Sequence, residues 1–212
     1  MNILKPQKST FKKLKKIENL INETKENYEL ENITIENYKT NGIELNDIKI
    51  EKAIINNTEI TNGNLSNNTF IDIEFNNCNF SNTSFENSSF IRCEFNNCKL
   101  TGCNFIENRI YNISYTETNL CYANFSMASI ENAMFEDSGL KNSNFQENKL
   151  KNIIFRNADL TQARFFKTSL KDIDFSESNI EGIAVSLEDI KGAYVNQFQA
   201  TDLLYLIGVN LK

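Results

Sequence analysis

The chain has 212 residues, a formal net charge of −6 and 40% hydrophobic residues, with one proline and neither tryptophan nor histidine. The absence of histidine removes the commonest general base, the commonest metal ligand and the usual pH switch near neutrality. No stretch approaches the roughly 20 apolar residues of a membrane-spanning helix, and the charged N-terminus lacks the apolar segment of a signal peptide. We therefore expect a cytoplasmic protein that does not enter a membrane.

The first 29 residues form a basic segment that differs in charge from the rest of the chain. They hold seven lysines and four glutamates, which leaves a net charge of −9 on the remainder. Residues 9–28 space their apolar side chains along one face of a helix, and these are Phe11, Leu14, Ile17, Ile21 and Tyr28. We predict an amphipathic helix here that caps one end of the following domain.

Residues 30–195 are an internal repeat with a period of five. From Leu30 to Val195 every fifth residue is apolar except Thr40, and the residue two positions earlier is usually small. A period of five fits neither an α-helix nor a single β-strand, so the repeat itself defines the fold. We predict that the central residues fill a structural core, which includes Phe75, Phe85, Phe95, Leu100, Phe105, Leu120, Phe125, Phe135, Leu140, Phe145, Phe155, Leu160, Phe165 and Phe175.

Segments of this repeat resemble the A(D/N)LXX units of pentapeptide-repeat proteins. The clearest are NADLTQARF, SMASIENAMF, YANFS and NSNFQ, and the resemblance covers about residues 30–195. It implies an all-β fold, a right-handed quadrilateral parallel β-helix in which four units make one square coil. About eight coils would stack at the inter-strand spacing of ~4.8 Å, between an N-terminal capping helix and a short C-terminal helix.

Four units per coil would place residues twenty apart on the same face, and the sequence supports this arrangement. Central residues with numbers ending in five are almost all aromatic between Phe75 and Phe175. Those with numbers ending in zero are aliphatic between Leu100 and Ile190. We therefore predict aromatic ladders on two opposite faces and aliphatic ladders on the other two.

One ladder of small inward residues is less regular than the others. Its members include the amides of Asn68, Asn108 and Asn148, and buried amides are tolerated only when they are hydrogen-bonded. We therefore expect a local irregularity of the coil near Asn108 and Tyr115.

Residues 196–212 follow the repeat as a short helix and tail. Asn196 is suited to be the N-cap of this helix, and Gly208 is placed to end it. The segment is more apolar than one coil end requires, so we predict a homodimer interface formed by Phe198, Leu203, Leu204, Leu206, Ile207 and Val209. Simple capping of the last coil is the alternative.

The sequence carries no combination of residues that indicates catalysis. Cys78, Cys93, Cys98 and Cys103 occupy the small inward position without the spacing of a zinc site, and Cys121 is the one thiol expected to be exposed. There is no phosphate-binding glycine loop, nucleophile elbow or metal-ligand run. We therefore predict a protein that is not an enzyme and has no catalytic, cofactor-binding or metal-binding residues.

Several apolar residues stand where the repeat prefers polar ones. Among them Ile106, Tyr122 and Met127 would lie close together on a square coil, and we predict a partner-binding patch there. Scattered surface residues without a function are the alternative interpretation.

Among pentapeptide-repeat proteins, an uninterrupted rod with a C-terminal helix resembles the bacterial quinolone-resistance (Qnr) branch. This resemblance implies a homodimeric DNA mimic that binds DNA gyrase or topoisomerase IV. An acidic body argues against direct binding of nucleic acid and could meet a basic protein surface that normally binds it, but at −9 this body is only moderately acidic for a mimic of duplex DNA. The chain departs from Gram-negative members in lacking loop insertions and in its basic N-terminal segment. Two hypotheses stay open, a type II topoisomerase interactor and a general protein-binding or structural scaffold with an unknown partner.

Overall fold

The computed structural model describes residues 14–209, and most of them form one four-sided parallel β-solenoid. Its strands pair at a constant offset of twenty residues, as in Glu29 with Lys49 and Lys49 with Thr69. Four five-residue units therefore make one coil, which confirms the quadrilateral β-helix. The solenoid has about seven turns, compared with the roughly eight that were predicted.

Long strands alternate with short connections until two short helices end the described chain. In chain order the elements are β1 (Lys15–Ile17), α1 (Leu20–Glu26), β2 (Glu29–Glu36), β3 (Lys39–Asn41), β4 (Lys49–Asn56), β5 (Glu59–Thr61), β6 (Thr69–Asn76), β7 (Ser89–Asn96), β8 (Arg109–Thr116), β9 (Ser129–Glu136), β10 (Lys149–Arg156), α2 (Gln197–Asp202) and a 3-10 helix (Leu203–Ile207). The main sheet has the order β1-β2-β4-β6-β7-β8-β9-β10, and β3 pairs with β5. Isolated parallel bridges join the coils on the remaining sides.

Each coil turns at corner residues whose backbone is left-handed. All 27 described non-glycine residues with positive φ have numbers ending in 2 or 7, two positions after a central residue. Fourteen of them are asparagine, which tolerates this region better than most residues with a side chain. The recurrence of asparagine at this position is therefore a sequence signal for the corners, and it accounts for much of the asparagine in the chain.

Corner side chains bond to their equivalents on the next coil. Asn152 Nδ2 donates to Asn132 Oδ1 at 2.9 Å, and Asn ladders of this kind recur along the rod. At one corner the ladder is an ion pair, in which Arg92 Nε and Nη2 donate to the two carboxylate oxygens of Asp72 at 2.7 Å. Asp72 is only 1% exposed, and its hydrogen bond to Arg92 raises the pKa of the guanidinium. Arg92 thus compensates the charge of a nearly buried carboxylate on the preceding coil.

Central side chains fill the interior, and the fourteen core residues predicted from the period are all buried. Rings on one side stack between coils, with centroids 4.8 Å apart for Phe105–Phe125 and for Phe125–Phe145. The two aromatic ladders meet edge to face across the interior, as in Phe125 and Phe135 at 6.3 Å and 85°. Both geometries are favourable for aromatic pairs. The rod is therefore packed solid along its axis.

The irregularity predicted near Asn108 and Tyr115 is wrong. β8 keeps the twenty-residue register with both neighbours, and the Tyr115 ring stacks on Phe95 at 5.2 Å and on Phe135 at 4.9 Å. Asn108 fits because its Oδ1 accepts from the Ser88 backbone N–H at 2.8 Å. The misfit appears instead as two buried atoms without a hydrogen-bond partner in the described chain, Asn108 Nδ2 and Tyr115 Oη. Burial also raises the pKa of the Tyr115 hydroxyl well above its usual range.

Replacing Tyr115 by phenylalanine is expected to raise the free energy of unfolding by about 1 kcal/mol. The change removes a fully buried hydroxyl that lacks a partner and keeps the ring stack on both sides. Urea denaturation measures the effect, and Phe135→Tyr, one coil further along, is the matched control with the opposite expected sign. A loss of stability in Tyr115→Phe would contradict the assignment of the hydroxyl as unsatisfied.

The helix predicted over residues 9–28 is wrong in its length. β1 is a strand that pairs with β2, and α1 has only seven residues. Strand pairing prevails in β1 because the first coil would otherwise leave its backbone edge unpaired. Leu20 of α1 is buried in the core, so the helix covers the N-terminal end of the solenoid, whereas Tyr28 is exposed. Residues 1–13, Phe11 included, lie outside the described residues.

The C-terminal helix begins and ends where the sequence predicts. The side chain of Asn196 accepts from the backbone N–H groups of Phe198 and Gln199, and Gly208 ends the segment in a left-handed conformation with φ 71°. Gln199 is buried and donates to the Phe175 carbonyl at 2.8 Å. That bond fastens α2 to the last coil.

The residues predicted to form a dimer interface fall into two groups. Leu203, Leu204 and Leu206 are half-buried, and the first and last of them pack against the core. The exposed members are Phe198, Ile207 and Val209. One side of this segment therefore caps the last coil, and the other presents apolar side chains outward.

Candidate functional site

The interior of the described solenoid has no room for a substrate. A cavity beside Leu20 and Ile35 has a volume of about 20 Å³, enough for about one water molecule and far too small for a substrate. In residues 14–209, no group of three His, Cys, Asp or Glu side chains could hold a metal ion. No helix within that range is long and apolar enough to cross a membrane. The side chains that a partner could reach therefore lie on the outer sides of the rod.

One of the four sides carries a row of carboxylates, and we call it the acidic face. It consists of residues 33–37 and the units at twenty-residue steps from them, up to 173–177. Its charged side chains are one arginine, Arg156, and eight carboxylates, Glu36, Glu74, Glu94, Glu117, Glu136, Asp137, Asp174 and Glu177. Most of the net negative charge of the repeat therefore lies on one side.

A second side of the rod lacks the excess of carboxylates found on the acidic face. The units from 38–42 to 178–182 hold three basic and three acidic residues, which are Lys39, Glu59, Lys99, Lys141, Asp159 and Glu181. That side is electrically balanced. At the N-terminal end of the acidic face, β1 adds Lys15 and Lys16, so the row of carboxylates is confined to the body of the rod.

Most carboxylates of the acidic face are available to a partner. Glu117, Asp137, Asp174 and Glu177 are exposed and form no ion pair within the described chain, whereas Glu74 and Glu94 are buried. Glu136 is the exception, since Arg156 Nη1 lies 2.8 Å from its Oε1. The hydrogen bond to Glu136 raises the pKa of Arg156. An exposed pair of this kind contributes little to stability.

The three residues predicted to form a partner patch differ in exposure and position. Tyr122 is 64% exposed and Met127 is 49% exposed, whereas Ile106 is half-buried. Met127 lines a surface groove of about 440 Å³ together with Tyr111, and neither Ile106 nor Tyr122 lines it. Tyr122 and Met127 are also corner residues, with φ values of 62° and 60°. Met127 and Tyr111 therefore share this groove, and the grouping of Ile106, Tyr122 and Met127 stays a prediction.

The cysteines follow the inward positions of the repeat. The four predicted inward thiols are buried, and Cys121 is half-exposed. Burial raises the pKa of the Cys93 and Cys103 thiols to about 12. A hydrogen bond to Cys78, together with burial, raises the pKa of Cys98. Because the thiolate is the reactive form, these positions are suited to packing rather than to chemistry.

We expect a maleimide to label about one thiol per folded chain and all five after denaturation. The labelled residue should be Cys121, since the other thiols are closed inside the coils. Mass spectrometry of tryptic fragments identifies the site, and Cys121→Ser is the control that should abolish labelling of the folded protein. Rapid native labelling of Cys98 or Cys103 would contradict the closed interior.

Two family models match the chain, and several solved structures are similar to it. Residues 88–165 match the model described as pentapeptide repeat region, and residues 70–105 match the one described as pentapeptide repeats (8 copies). A trypsin-treated form of QnrB1, described as a plasmid-mediated fluoroquinolone resistance protein, is 22% identical over 87% of this chain and 90% of that chain, with a TM-score of 0.46. HetL from the cyanobacterium Nostoc, described as involved in regulating heterocyst differentiation, is 14% identical over 78% of this chain and 86% of that chain, with a TM-score of 0.33. No curated protein matches the chain.

The protein belongs to the class of quadrilateral β-solenoids, because each coil has four five-residue units, left-handed corners and a packed interior. In such a fold only side chains on the outer surface can contact a partner. The matches over residues 70–165 identify the repeat, and the chain is a pentapeptide-repeat protein.

Proposed function

We propose that this pentapeptide-repeat protein is not an enzyme and that its acidic face binds the DNA-binding surface of a type II topoisomerase in place of DNA. The observation that supports the proposal is the concentration of eight carboxylates and one arginine on one side of a rod. A basic surface that accepts a DNA duplex attracts such a row of charges. The resemblance of the repeat to the Qnr branch directs the choice toward DNA gyrase or topoisomerase IV.

The spacing of the coils sets how closely the acidic face resembles a duplex. Because Glu74 and Glu94 are buried and Glu136 is paired with Arg156, five of the eight carboxylates are exposed and unpaired along coils ~4.8 Å apart, whereas duplex DNA has one charge per ~1.7 Å of its axis. The rod therefore presents less than half the linear charge density of DNA. We expect a moderate affinity that falls steeply as the salt concentration rises.

We further propose that two chains associate through the exposed apolar residues of the C-terminal segment, Phe198, Ile207 and Val209. A twofold dimer would double the length of rod available to a partner. Sedimentation should give a dimer for the wild-type chain and a monomer for Phe198→Glu, because Phe198 is 82% exposed and makes no contribution to the core. A wild-type monomer would contradict this association.

The first experiment titrates the purified protein into a gyrase supercoiling assay, with and without a fluoroquinolone, at two salt concentrations. Inhibition of supercoiling or protection from the drug, weakened by salt, is the expected result. No effect at micromolar protein would contradict the proposal for this chain.

Paired charge variants test whether position or only total charge matters. Glu117→Lys with Glu177→Lys reverses two charges on the acidic face, and Glu107→Lys with Glu181→Lys makes the same change on other sides. All four side chains are exposed and free of ion pairs in the described chain. We expect the first variant to weaken the effect on gyrase at least about tenfold and the second by less than about threefold. Equal losses would show that net charge alone is responsible.

A general protein-binding scaffold is the second candidate function, and the two exposed corner residues favour it. A bulky residue in the left-handed region costs roughly 1 kcal/mol, and Tyr122 and Met127 adopt it with exposed side chains. Neither side chain fills the core, so stability does not explain its presence. Apolar side chains kept at such a position indicate a contact surface.

Replacing Tyr122 by asparagine is expected to raise the free energy of unfolding by about 0.5–1 kcal/mol, because asparagine tolerates the left-handed corner better. Thermal unfolding measures the effect, and Asn142→Tyr at the next coil is the control with the opposite expected sign. If the scaffold hypothesis holds, the variant loses its partner while any effect on gyrase persists. Partner binding that survives Tyr122→Asn and Met127→Asn together would contradict it.

A further inference from the structure

A patch on the acidic face is more buried than its position in the repeat explains. Residues with numbers ending in 4 point outward from this face, and at that position Met134 is half-buried and Asp174 is exposed. Three consecutive members of the same row are nearly closed off from solvent, since Glu74, Glu94 and Ser114 are 8%, 5% and 6% exposed. Their strands pair in unbroken register, so the coils themselves do not differ there.

The adjoining corner of the rod is buried along the same coils. Asp72 and Asn112 are each 1% exposed, whereas Asn152 and Asp172 are exposed at the same corner further along the rod. The helices α1 and α2 pack at the two ends of the solenoid. We call the buried group the covered patch, and it consists of Asp72, Glu74, Glu94, Asn112 and Ser114. The regular geometry of the coil does not by itself account for its burial.

The covered patch requires a basic occupant. Glu74 and Glu94 are register partners on β6 and β7, and two carboxylates opposite each other on adjacent strands repel. Closing such a pair off from water is stable only when positive charge lies beside it. Ile54 and Met134, which are half-buried, stand in the same row on the coils before and after the patch. An occupant that combines cationic with apolar side chains therefore fits this surface.

Residues 1–13, which we call the N-terminal arm, have this composition. The arm contains no acidic residue, and its apolar members include Ile3 and Phe11. Its side-chain charge of +4 comes from Lys5, Lys8, Lys12 and Lys13. The arm and the covered patch are therefore complementary in charge.

The arm is also joined to the rod at the same corner and is long enough to reach the patch. Lys15 of β1 pairs with Ile33 of β2, so the residue before Lys15 lies beside Asn32, which precedes Asp72 and Asn112 along that corner. The strands β1 and β8 are five steps apart in the main sheet, or ~24 Å at the inter-strand spacing. Thirteen extended residues span up to ~45 Å. The arm can therefore extend from β1 over the whole covered patch.

We propose that the N-terminal arm binds the covered patch of its own chain, with its lysines beside Glu74 and Glu94. The arm then occupies the part of the acidic face nearest the N-terminus and leaves Glu117, Asp137 and Glu177 to a partner. A basic protein surface that binds along the whole face has to displace the arm first. That last consequence rests on the proposed function, whereas the binding of the arm does not.

Carboxylate footprinting of the full chain, with a carbodiimide and glycine ethyl ester, tests what covers the patch. In the wild type we expect Glu74 and Glu94 to be labelled at least about tenfold more slowly than Asp174. Changing the four arm lysines to glutamate should raise the labelling of Glu74 and Glu94 at least about fivefold and leave Asp174 unchanged. Protection of Glu74 and Glu94 that persists in this arm variant would overturn the proposal.

A control variant makes the same change of charge elsewhere on the rod. It carries glutamate at four exposed basic positions on the other three sides, which are Lys99, Lys149, Arg164 and Lys171. Labelling of Glu74 and Glu94 should change less than about twofold in this variant. An increase equal to that in the arm variant would show that net charge alone is responsible and would overturn the assigned position.

Cross-linking shows which chain supplies the lysines. A carbodiimide without added amine joins a lysine to a carboxylate that it contacts, and a mixture of nitrogen-14 and nitrogen-15 chains separates links within one chain from links between two. We expect same-isotope links from the arm to Glu74 or Glu94, which the double variant Glu74→Gln with Glu94→Gln removes. Links mainly between different isotopes would assign the patch to a second copy and overturn binding within one chain.

The gyrase assay measures the consequence for the proposed function. The arm variant should inhibit supercoiling at a concentration at least about threefold lower than the control variant, because the arm no longer competes. Equal concentrations for the two variants would overturn this competition. Absence of inhibition by every form would contradict the proposed function, while the footprint and the cross-links still decide whether the arm binds the patch.

Discussion

Replacing Phe125 by alanine is expected to lower the free energy of unfolding by about 3–5 kcal/mol, the largest effect of any single core substitution considered for this rod. The Phe125 ring is fully buried and stacks on Phe105 and Phe145, each at 4.8 Å. It also meets Phe135 edge to face, so its removal opens a cavity between the two aromatic ladders. Urea denaturation followed by far-ultraviolet circular dichroism measures the loss.

Two further variants show whether the ladder or aromatic content in general is responsible. Phe125→Leu keeps most of the volume and should lose less than about 1.5 kcal/mol. Phe166→Ala removes a ring that is 42% exposed and should change stability by less than about 1 kcal/mol. A small loss in Phe125→Ala would contradict the packed interior, because the surrounding coils would then have to close over the missing ring.

Replacing Arg92 by methionine is expected to lower the free energy of unfolding by about 2–4 kcal/mol, because Asp72 loses both hydrogen bonds to the guanidinium while its side chain stays buried. Methionine keeps much of the side-chain volume, so the loss reports mainly on the charge. Equilibrium unfolding at pH 7 measures it.

The corner itself offers the control for this ion pair. The double variant Asp72→Asn with Arg92→Asn converts the corner to the asparagine ladder that joins Asn132 and Asn152. It should recover most of the stability lost in Arg92→Met, since both residues already have positive φ that asparagine tolerates. A double variant as unstable as the single one would show that the ion pair contributes beyond satisfying Asp72.

The period of five predicted the architecture because each unit repeats the same local choice of inward and outward side chains. Central residues such as Phe75 and Phe95 are twenty residues apart in the sequence and therefore lie on adjacent coils. Their rings stack there with centroids 4.3 Å apart. The C-terminal helix was equally predictable, since an asparagine N-cap and a terminal glycine act within a few residues of chain.

The structure differs from the sequence-based prediction where contacts between neighbouring coils compete with local conformational preference. The apolar spacing around Ile17 fits a helix, but the unpaired edge of β2 draws this segment into a strand. Near Tyr115 the coils tolerate a buried hydroxyl without losing register, because ring stacking on both sides outweighs its desolvation. The acidic face is predictable from the sequence when charged residues are counted separately for each side, at twenty-residue intervals. The net charge of the whole chain does not reveal it.

The sequence by itself determined the repeat, the four-sided coil and the identity of the core, because these depend on side-chain size and polarity within five residues. The asparagines at corner positions carried the same information about the turns. Only the tertiary structure shows that Met127 and Tyr111 line the same groove. It alone also shows that the backbone hydrogen bonds between coils stop after β10 on two sides of the rod. Residues 169–177 keep the repeat pattern, so nothing local marks the interruption. Hydrogen bonding between coils depends on how two whole coils fit, and that fit is a property of the assembled rod.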